Sequence, residues 1–218
     1  MDWTAIAERA AQRYRDGLER LPGEPNSRQK QLTRTGNAAW AAGLSLLMDG
    51  RREEGRAWLL RAAERYRESF ADAPPESWGR LIGTLKALLL ARDWARAVAA
   101  ARWSLEQEPD GAASPIGRYA AVLALLVLGE DAQAARHVAT LQAEAADAFP
   151  RPVADALAGL AAGDRSLYAD GLARTLASFE QREAYLEDVP VADTVAVLEE
   201  LAAPRGLSVG PRSALLPA

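Results

Sequence analysis

Two short phrases hold the residue types best suited to binding an anion, Ser77-Trp78-Gly79-Arg80 and Ser114-Pro115-Ile116-Gly117-Arg118. Each sets a serine cap, a glycine in the first turn and an arginine just beyond it at the start of a helix. Backbone N–H groups left accessible by glycine, the positive helix end and a guanidinium together favour a carboxylate or a phosphate. The same residues also suit capping and close helix packing, with Arg80 and Arg118 receiving carboxylates from neighbouring helices. Trp78 follows the pair Pro74-Pro75 and occupies a first turn, where an exposed ring would offer an aromatic binding surface. The second constellation is acidic. Glu180, Glu183 and Glu187, spaced by three and four residues, share one face of a helix beside Tyr185, with Asp188 following. Such a stripe is either a solvated face or a docking surface for a basic partner, where Coulomb steering speeds encounter and Tyr185 is the anchor.

Other chemistries lack their residues. Cysteine is absent and His137 is the single histidine. That removes disulfides, thiolate nucleophiles, Cys-liganded zinc, iron–sulfur ligation and every two-His metal site. His137 as a general base would need a carboxylate to orient its ring, and neither Asp131 nor Glu144 stands one helical turn away. The carboxylates near residue 185 have no second cluster at matching spacing, so no catalytic residue, metal site or cofactor is expected. The 26 basic and 30 acidic residues give a net charge of −4. The arginines between 51 and 67 alternate with Glu53, Glu54 and Glu64, which speaks against nucleic acid. The charge is divided unevenly: residues 1–102 carry 18 basic and 13 acidic side chains, and 103–218 carry 8 and 17. The longest apolar run, 120–128, is about half of the roughly 20 residues that span a bilayer, so no membrane is expected. No basic region followed by an apolar stretch opens the sequence, which predicts a cytoplasmic protein.

The elements that must position these side chains are helical. Apolar residues recur at spacings of three and four in blocks of 12 to 20, and period-two alternation is nowhere sustained. The pattern predicts an all-α chain. Its helices run over 2–21, 29–48 (weakened at Gly36), 52–70, 77–91, 94–108, 114–128, 132–149, 152–162, 166–187 and 191–203. The cluster Pro22-Gly23-Glu24-Pro25-Asn26-Ser27 reads as the start of the longest loop. Tight turns at Gly50, Arg92, Gly129 and Gly163 pair the central helices into four hairpins, at intervals of 42, 37 and 34 residues. Small residues follow each turn, Gly55, Ala97, Ala134 and Ala169, where paired helices must approach closely. Helical hairpins at such intervals are the sequence signature of an α-solenoid. The alternative is an irregular helical bundle.

Ala97, Ala101, Leu105 and Pro109 in the second hairpin, and Gly55, Leu59 and Ala62 in the first, resemble the second-helix pattern of a tetratricopeptide repeat. The first-helix positions of that repeat are mostly unfilled. The resemblance implies a right-handed TPR-like stack of about four hairpins in one domain. It would have an N-terminal cap and loop at 1–36, repeats at 37–187, and a capping helix and tail at 188–218. The tail, Leu201-Ala202-Ala203-Pro204-Arg205-Gly206-Leu207 with a late Ser213-Ala214-Leu215-Leu216-Pro217, resembles the ending of all-helical immunity proteins of bacterial polymorphic toxin systems. That resemblance implies binding and neutralising a toxin without catalysis, and assigns no individual binding residue. Gly206 as a helix C-cap and Leu215-Leu216 as a pin onto the core serve the same residues equally well.

These readings converge on a non-enzymatic helical scaffold for a protein or peptide partner, working through the groove of the first helices or through the acidic C-terminal face. Toxin neutralisation is one alternative. Another is a small anionic ligand or a helical enzyme, with Arg80, Arg118 and Trp78 lining one pocket.

Overall fold

The three-and-four spacing of apolar residues becomes helix throughout. In the computed structural model, which describes residues 1–111, 114–144 and 149–217, the chain is all-α. Ten α-helices follow one another among the described residues: α1 (Trp3–Glu19), α2 (Pro25–Met48), α3 (Arg52–Phe70), α4 (Gly79–Leu90), α5 (Trp94–Leu105), α6 (Pro115–Leu128), α7 (Asp131–Glu144), α8 (Arg151–Ala162), α9 (Arg165–Glu180) and α10 (Asp193–Ala202). Short 3-10 turns lie at Pro109–Gly111, Leu186–Asp188 and Ala203–Arg205. The stretch 145–148, expected to continue the seventh helix, lies outside the described residues.

All four hairpin turns fall at the expected residues. Gly50, Arg92, Gly129 and Gly163 have φ of 77°, 56°, 76° and 67°, the left-handed conformation that ends a helix by turning its last N–H groups back onto free carbonyls. Glycine adopts it without a Cβ clash, whereas Arg92 does so against its own preference.

Three of the boundaries that differ from expectation bear on the candidate site residues. Helix α2 begins at Pro25 inside the supposed loop, because the Glu24 carboxylate accepts from the N–H groups of Asn26 and Ser27 at 2.8 and 2.7 Å. Proline at the first helical position has no N–H to strand. Ser77 does not cap α4: its hydroxyl donates to the Pro74 carbonyl at 2.7 Å, and the cap residue is Trp78, which supplies no side-chain bond. Ser114 does cap α6, accepting from the Ile116 N–H at 3.3 Å. Helix α9 ends at Glu180, seven residues before Glu187.

The helices group into two compact units. The first comprises Met1–Arg92, Glu183–Asp193 and Ser213–Ala218. In it α1 packs on α2, α2 on α3 and α3 on α4 around Leu32, Leu59, Leu81, Leu85 and Leu89. Helices α2 and α3 touch backbone to backbone where Gly43 faces Gly55: a Cβ added to either would lie 3.0 Å from the carbonyl oxygen of the other. Leu215 returns to this unit by accepting from the Ala192 N–H at 2.8 Å. The second unit comprises Asp93–Arg182 and Thr194–Arg212, with α5 to α9 packed in succession. Its core contains Leu123, Leu126, Leu141, Leu157 and Tyr168. Ala97 and Ala134 are fully buried, as expected of the small residues after a turn. In the hairpin α8–α9 Ala169 is only half-buried, and Gly159 against the Tyr168 backbone and Gly171 against the Ala156 backbone make the close approach instead.

One buried carboxylate organises the middle of the second unit. Asp155, 7% exposed, accepts from Gln142 Nε2 at 2.7 Å, Arg151 Nε at 3.0 Å and Arg174 Nη2 at 3.0 Å. Burial pushes its pKa up, but the bonds from Gln142, Arg174 and Arg151 outweigh burial and hold it below the usual carboxylate value. The native state therefore binds this proton less readily than the unfolded chain. The stabilisation is complete above the unfolded pKa of about 3.9 and is lost as pH falls through the lowered native value. Asp155→Asn is expected to cost about 1–3 kcal/mol at pH 7. In urea titrations at several pH values, its deficit against the parent should shrink progressively below about pH 4. A deficit that is constant with pH would rule out the ionised form as the stabilising one.

Candidate functional site

Helix α2 presents Gln29, Thr33, Asn37 and Trp40 at spacings of four, four and three, which places them along one face. Helix α3 contributes Tyr66 and Ser69, one turn apart, and α4 contributes Gly79, Arg80, Gly83 and Lys86. Together with Leu186 and Asp193 these residues build a cavity of about 380 Å³ and its support, wholly within the first unit. The volume is within the range of small-ligand pockets.

Arg80 is the unusual group in it. Its Nε–H is shared between the hydroxyl oxygens of Ser69 at 3.1 Å and Thr33 at 3.3 Å, and an Nη2–H donates to the Gln29 side-chain carbonyl. Ser69 is fully buried and Gln29 almost so. Thr33 and Ser69 in turn donate to the carbonyls of Gln29 and Tyr66 at 2.9 and 2.7 Å, so their lone pairs are aimed at the guanidinium. The arginine is thus held in place by uncharged oxygens. No carboxylate pairs with it among the described residues, and its Nη1 meets no acceptor there. Burial lowers its pKa from the ordinary arginine value, the direction that desolvation imposes on a cation.

The second cation of the cavity is neutralised. Lys86 Nζ lies 2.5 Å from Asp193 Oδ2 and 5.7 Å from the centre of the Trp40 ring. Between the two cations stands Tyr66, whose ring is seated by two glycines: a Cβ on Gly36 or on Gly83 would come within 2.8 Å of a ring carbon. Its phenol is raised far above the usual value, first by burial and then by the charges of Glu187 and Asp193, so it stays protonated. It donates to Asn37 Oδ1 at 2.9 Å. Asn37 Nδ2 finds no acceptor among the described residues, which leaves a second polar donor on a cavity-lining residue.

The sequence-expected residues fall in different places. Arg80 lies in the cavity, but not through a serine-capped helix start. Trp78 is 9% exposed and is not the exposed ring expected after Pro74-Pro75; its Nε1–H has no partner among the described residues. Ser77 and Gly79 line the cavity while Trp78 does not. Arg118 is half-buried on α6 and belongs to the second unit, so it is not part of this lining. The acidic stripe dissolves, because α9 stops at Glu180 and the following residues do not continue the α-helix. Glu180 and Glu183 are exposed, and Tyr185 is half-buried. Glu187 sits in a 3-10 turn at φ 57° and pairs with Arg13 at 3.1 Å. Asn37, Tyr66, Lys86 and Leu186 were not singled out by sequence. The only signal was a pair of glycines, Gly36 and Gly83, inside otherwise apolar helices, and such glycines often mark a close approach.

Among the described residues no cluster of three His, Asp or Glu side chains could hold a metal ion, and no helix is long and apolar enough to cross a membrane. In comparisons with known proteins, no family model, no curated protein and no solved structure matches the chain, and the functional reading rests on the residues of the site themselves.

Proposed function

We propose that the protein is a non-enzymatic, cytoplasmic binding scaffold of TPR-like helical hairpins, and that it recognises a protein or peptide partner by receiving an acidic group of that partner in the Arg80 cavity. The observation that carries the reading is Arg80 itself, a guanidinium positioned by Gln29, Thr33 and Ser69 with no carboxylate partner among the described residues. Arranging buried neutral acceptors around a cation costs desolvation, and an incoming carboxylate offsets that cost with charge-assisted bonds. Gly55, Ala97 and Ala134, buried after the first three hairpin turns, support the TPR-like reading. The alternative route, a basic partner on an acidic helix face, has lost its geometric basis with the end of α9 at Glu180.

Calorimetry against short peptides tests this. Peptides bearing Asp, Glu or a free C-terminus should bind the parent protein, and Arg80→Gln should weaken them at least about tenfold while leaving the helical circular dichroism unchanged. Equal binding to parent and variant, or binding of neutral and basic peptides only, would rule the reading out.

A further inference from the structure

We infer that the Arg80 cavity is a site for a singly charged carboxylate attached to a compact apolar body, such as the chain end of a peptide finishing in a large apolar residue or a free arylalkanoic acid. The inference rests on the reading that Arg80 receives an acidic group, and adds what the rest of that group must be.

The charge count limits the anion. Lys86 is matched by Asp193, so among the described residues Arg80 supplies the cavity's one uncompensated charge. Asp193 is paired with Lys86 and Glu187 with Arg13, so neither pair leaves a free cation for a second charge on the ligand. A carboxylate fits a guanidinium bidentately with one negative charge. A phosphate dianion asks for more than one cation, and among the described residues of the lining Arg80 is the cation without a carboxylate partner.

The walls define the body. Away from Arg80 the cavity is bounded by Trp40, the Tyr66 ring, Ile82 and Leu186. Its volume of about 380 Å³ is far larger than a bare carboxylate needs and would hold on the order of a dozen waters. Apolar walls gain by expelling those waters onto apolar ligand surface.

A third observation is the exposure of Leu186. This leucine is 57% exposed, although it belongs to the cavity's lining. It is presented by a turn in which two successive non-glycine residues, Glu187 and Asp188, both adopt φ of 57°. Such strain persists only where surroundings over-determine it and gathers at ligand clamps. Here the ion pair of Glu187 with Arg13 at 3.1 Å and the bond from the Asp188 N–H to the Tyr185 carbonyl at 3.1 Å hold the turn. An apolar ligand body would cover the Leu186 side chain.

The experiment is isothermal calorimetry of the full chain with phenylpropionate, propionate and inorganic phosphate. A tripeptide ending in phenylalanine is measured as the free acid and as the C-terminal amide. Phenylpropionate should bind at least about tenfold more tightly than propionate or phosphate. Leu186→Ala, at a position 57% exposed, should weaken phenylpropionate about three- to tenfold and propionate by clearly less. A free-acid tripeptide that outbinds both its amide and phenylpropionate identifies a chain end as the source, whereas phenylpropionate binding without tripeptide binding identifies a small acid. Phosphate or propionate binding as tightly as phenylpropionate, lost in Arg80→Gln, overturns the inference and leaves the acidic-group reading standing. No binding by any probe overturns both.

Discussion

Gly83→Val is expected to lower the unfolding free energy by about 2–3 kcal/mol, while Gly79→Ala, one turn earlier in the same helix, should change it by less than about 0.5 kcal/mol. Both glycines line the cavity, and only their surroundings differ. A Cβ at position 79 meets nothing within 4 Å, whereas one at position 83 would lie 2.8 Å from Tyr66 Cδ2. The ring has no retreat, because its other side faces Gly36, where a Cβ would lie 2.8 Å from Cε1. With Tyr66 only 5% exposed, valine must displace a packed aromatic and its bond to Asn37. Overpacking of this kind costs roughly 1–3 kcal/mol, and valine's two further methyl groups put it at the upper end. The gain in helix propensity from glycine to valine, a few tenths of a kcal/mol, offsets little of it. Urea denaturation gives both values. A double-mutant cycle with Tyr66→Ala isolates the cause, since removing the ring should abolish most of the penalty at position 83 and leave a coupling of about 2 kcal/mol. Equal costs at 79 and 83, or a cycle without coupling, would show that the tyrosine seat does not limit this helix.

That seat shows where reading the sequence succeeds and where it stops. The turns at Gly50, Arg92, Gly129 and Gly163 were legible because turn chemistry is local: a glycine or a polar residue next to a falling apolar pattern marks a chain reversal. The helix ends that went wrong are set from a distance or by an uncommon cap. From Gln181 to Asp188 the chain holds no proline or glycine, so the helical pattern of the sequence continues to Pro190. The chain instead leaves the helix after Glu180, and Glu187 pairs with Arg13, more than 170 residues away in sequence. Glu24 caps α2 with a side chain rarely used for capping. Trp78 follows two prolines and looked exposed, but burial belongs to the tertiary fold and not to the turn. Arg80 was found for a reason that the structure replaces. Its helix start is uncapped, and the oxygens that hold it come from residues 29, 33 and 69, on two other helices. Nothing at Gly36 distinguishes a weakness in α2 from a socket for a ring on α3.

The tail carries the other large expected effect, because one arginine there closes the second unit. Arg205→Ala is expected to cost about 2–4 kcal/mol, and Arg205→Lys should recover less than half of it. The guanidinium, with 13% of its side chain exposed, donates to the Leu201 carbonyl at 2.9 Å, to the Leu126 carbonyl at 2.7 Å and to both carboxylate oxygens of Asp131. It thereby ties the end of α10 to the last turn of α6 and the first residue of α7. The carbonyls near a helix end have no intrahelical donor, so a planar fork that reaches two of them and a carboxylate does what a single ammonium cannot. Gly206, at φ 69°, turns the chain away directly after it. Ser208 and the N–H of Gly210 then donate to Glu199 at 2.6 and 2.9 Å, and the same carboxylate accepts from the buried Tyr168 hydroxyl at 2.5 Å. The Arg205-Gly206 turn is accordingly committed to internal bonds. Asp131 keeps 38% of its side chain in solvent, so stranding its charge is the smaller part of the cost, and Asp131→Asn should lose no more than about 1 kcal/mol. The three variants therefore rank Ala, Lys, Asn in decreasing damage by urea denaturation. If Arg205→Lys matched the parent, the guanidinium fork would not be what holds the tail; if Asp131→Asn were as damaging as Arg205→Ala, the ion pair and not the carbonyl bonds would dominate.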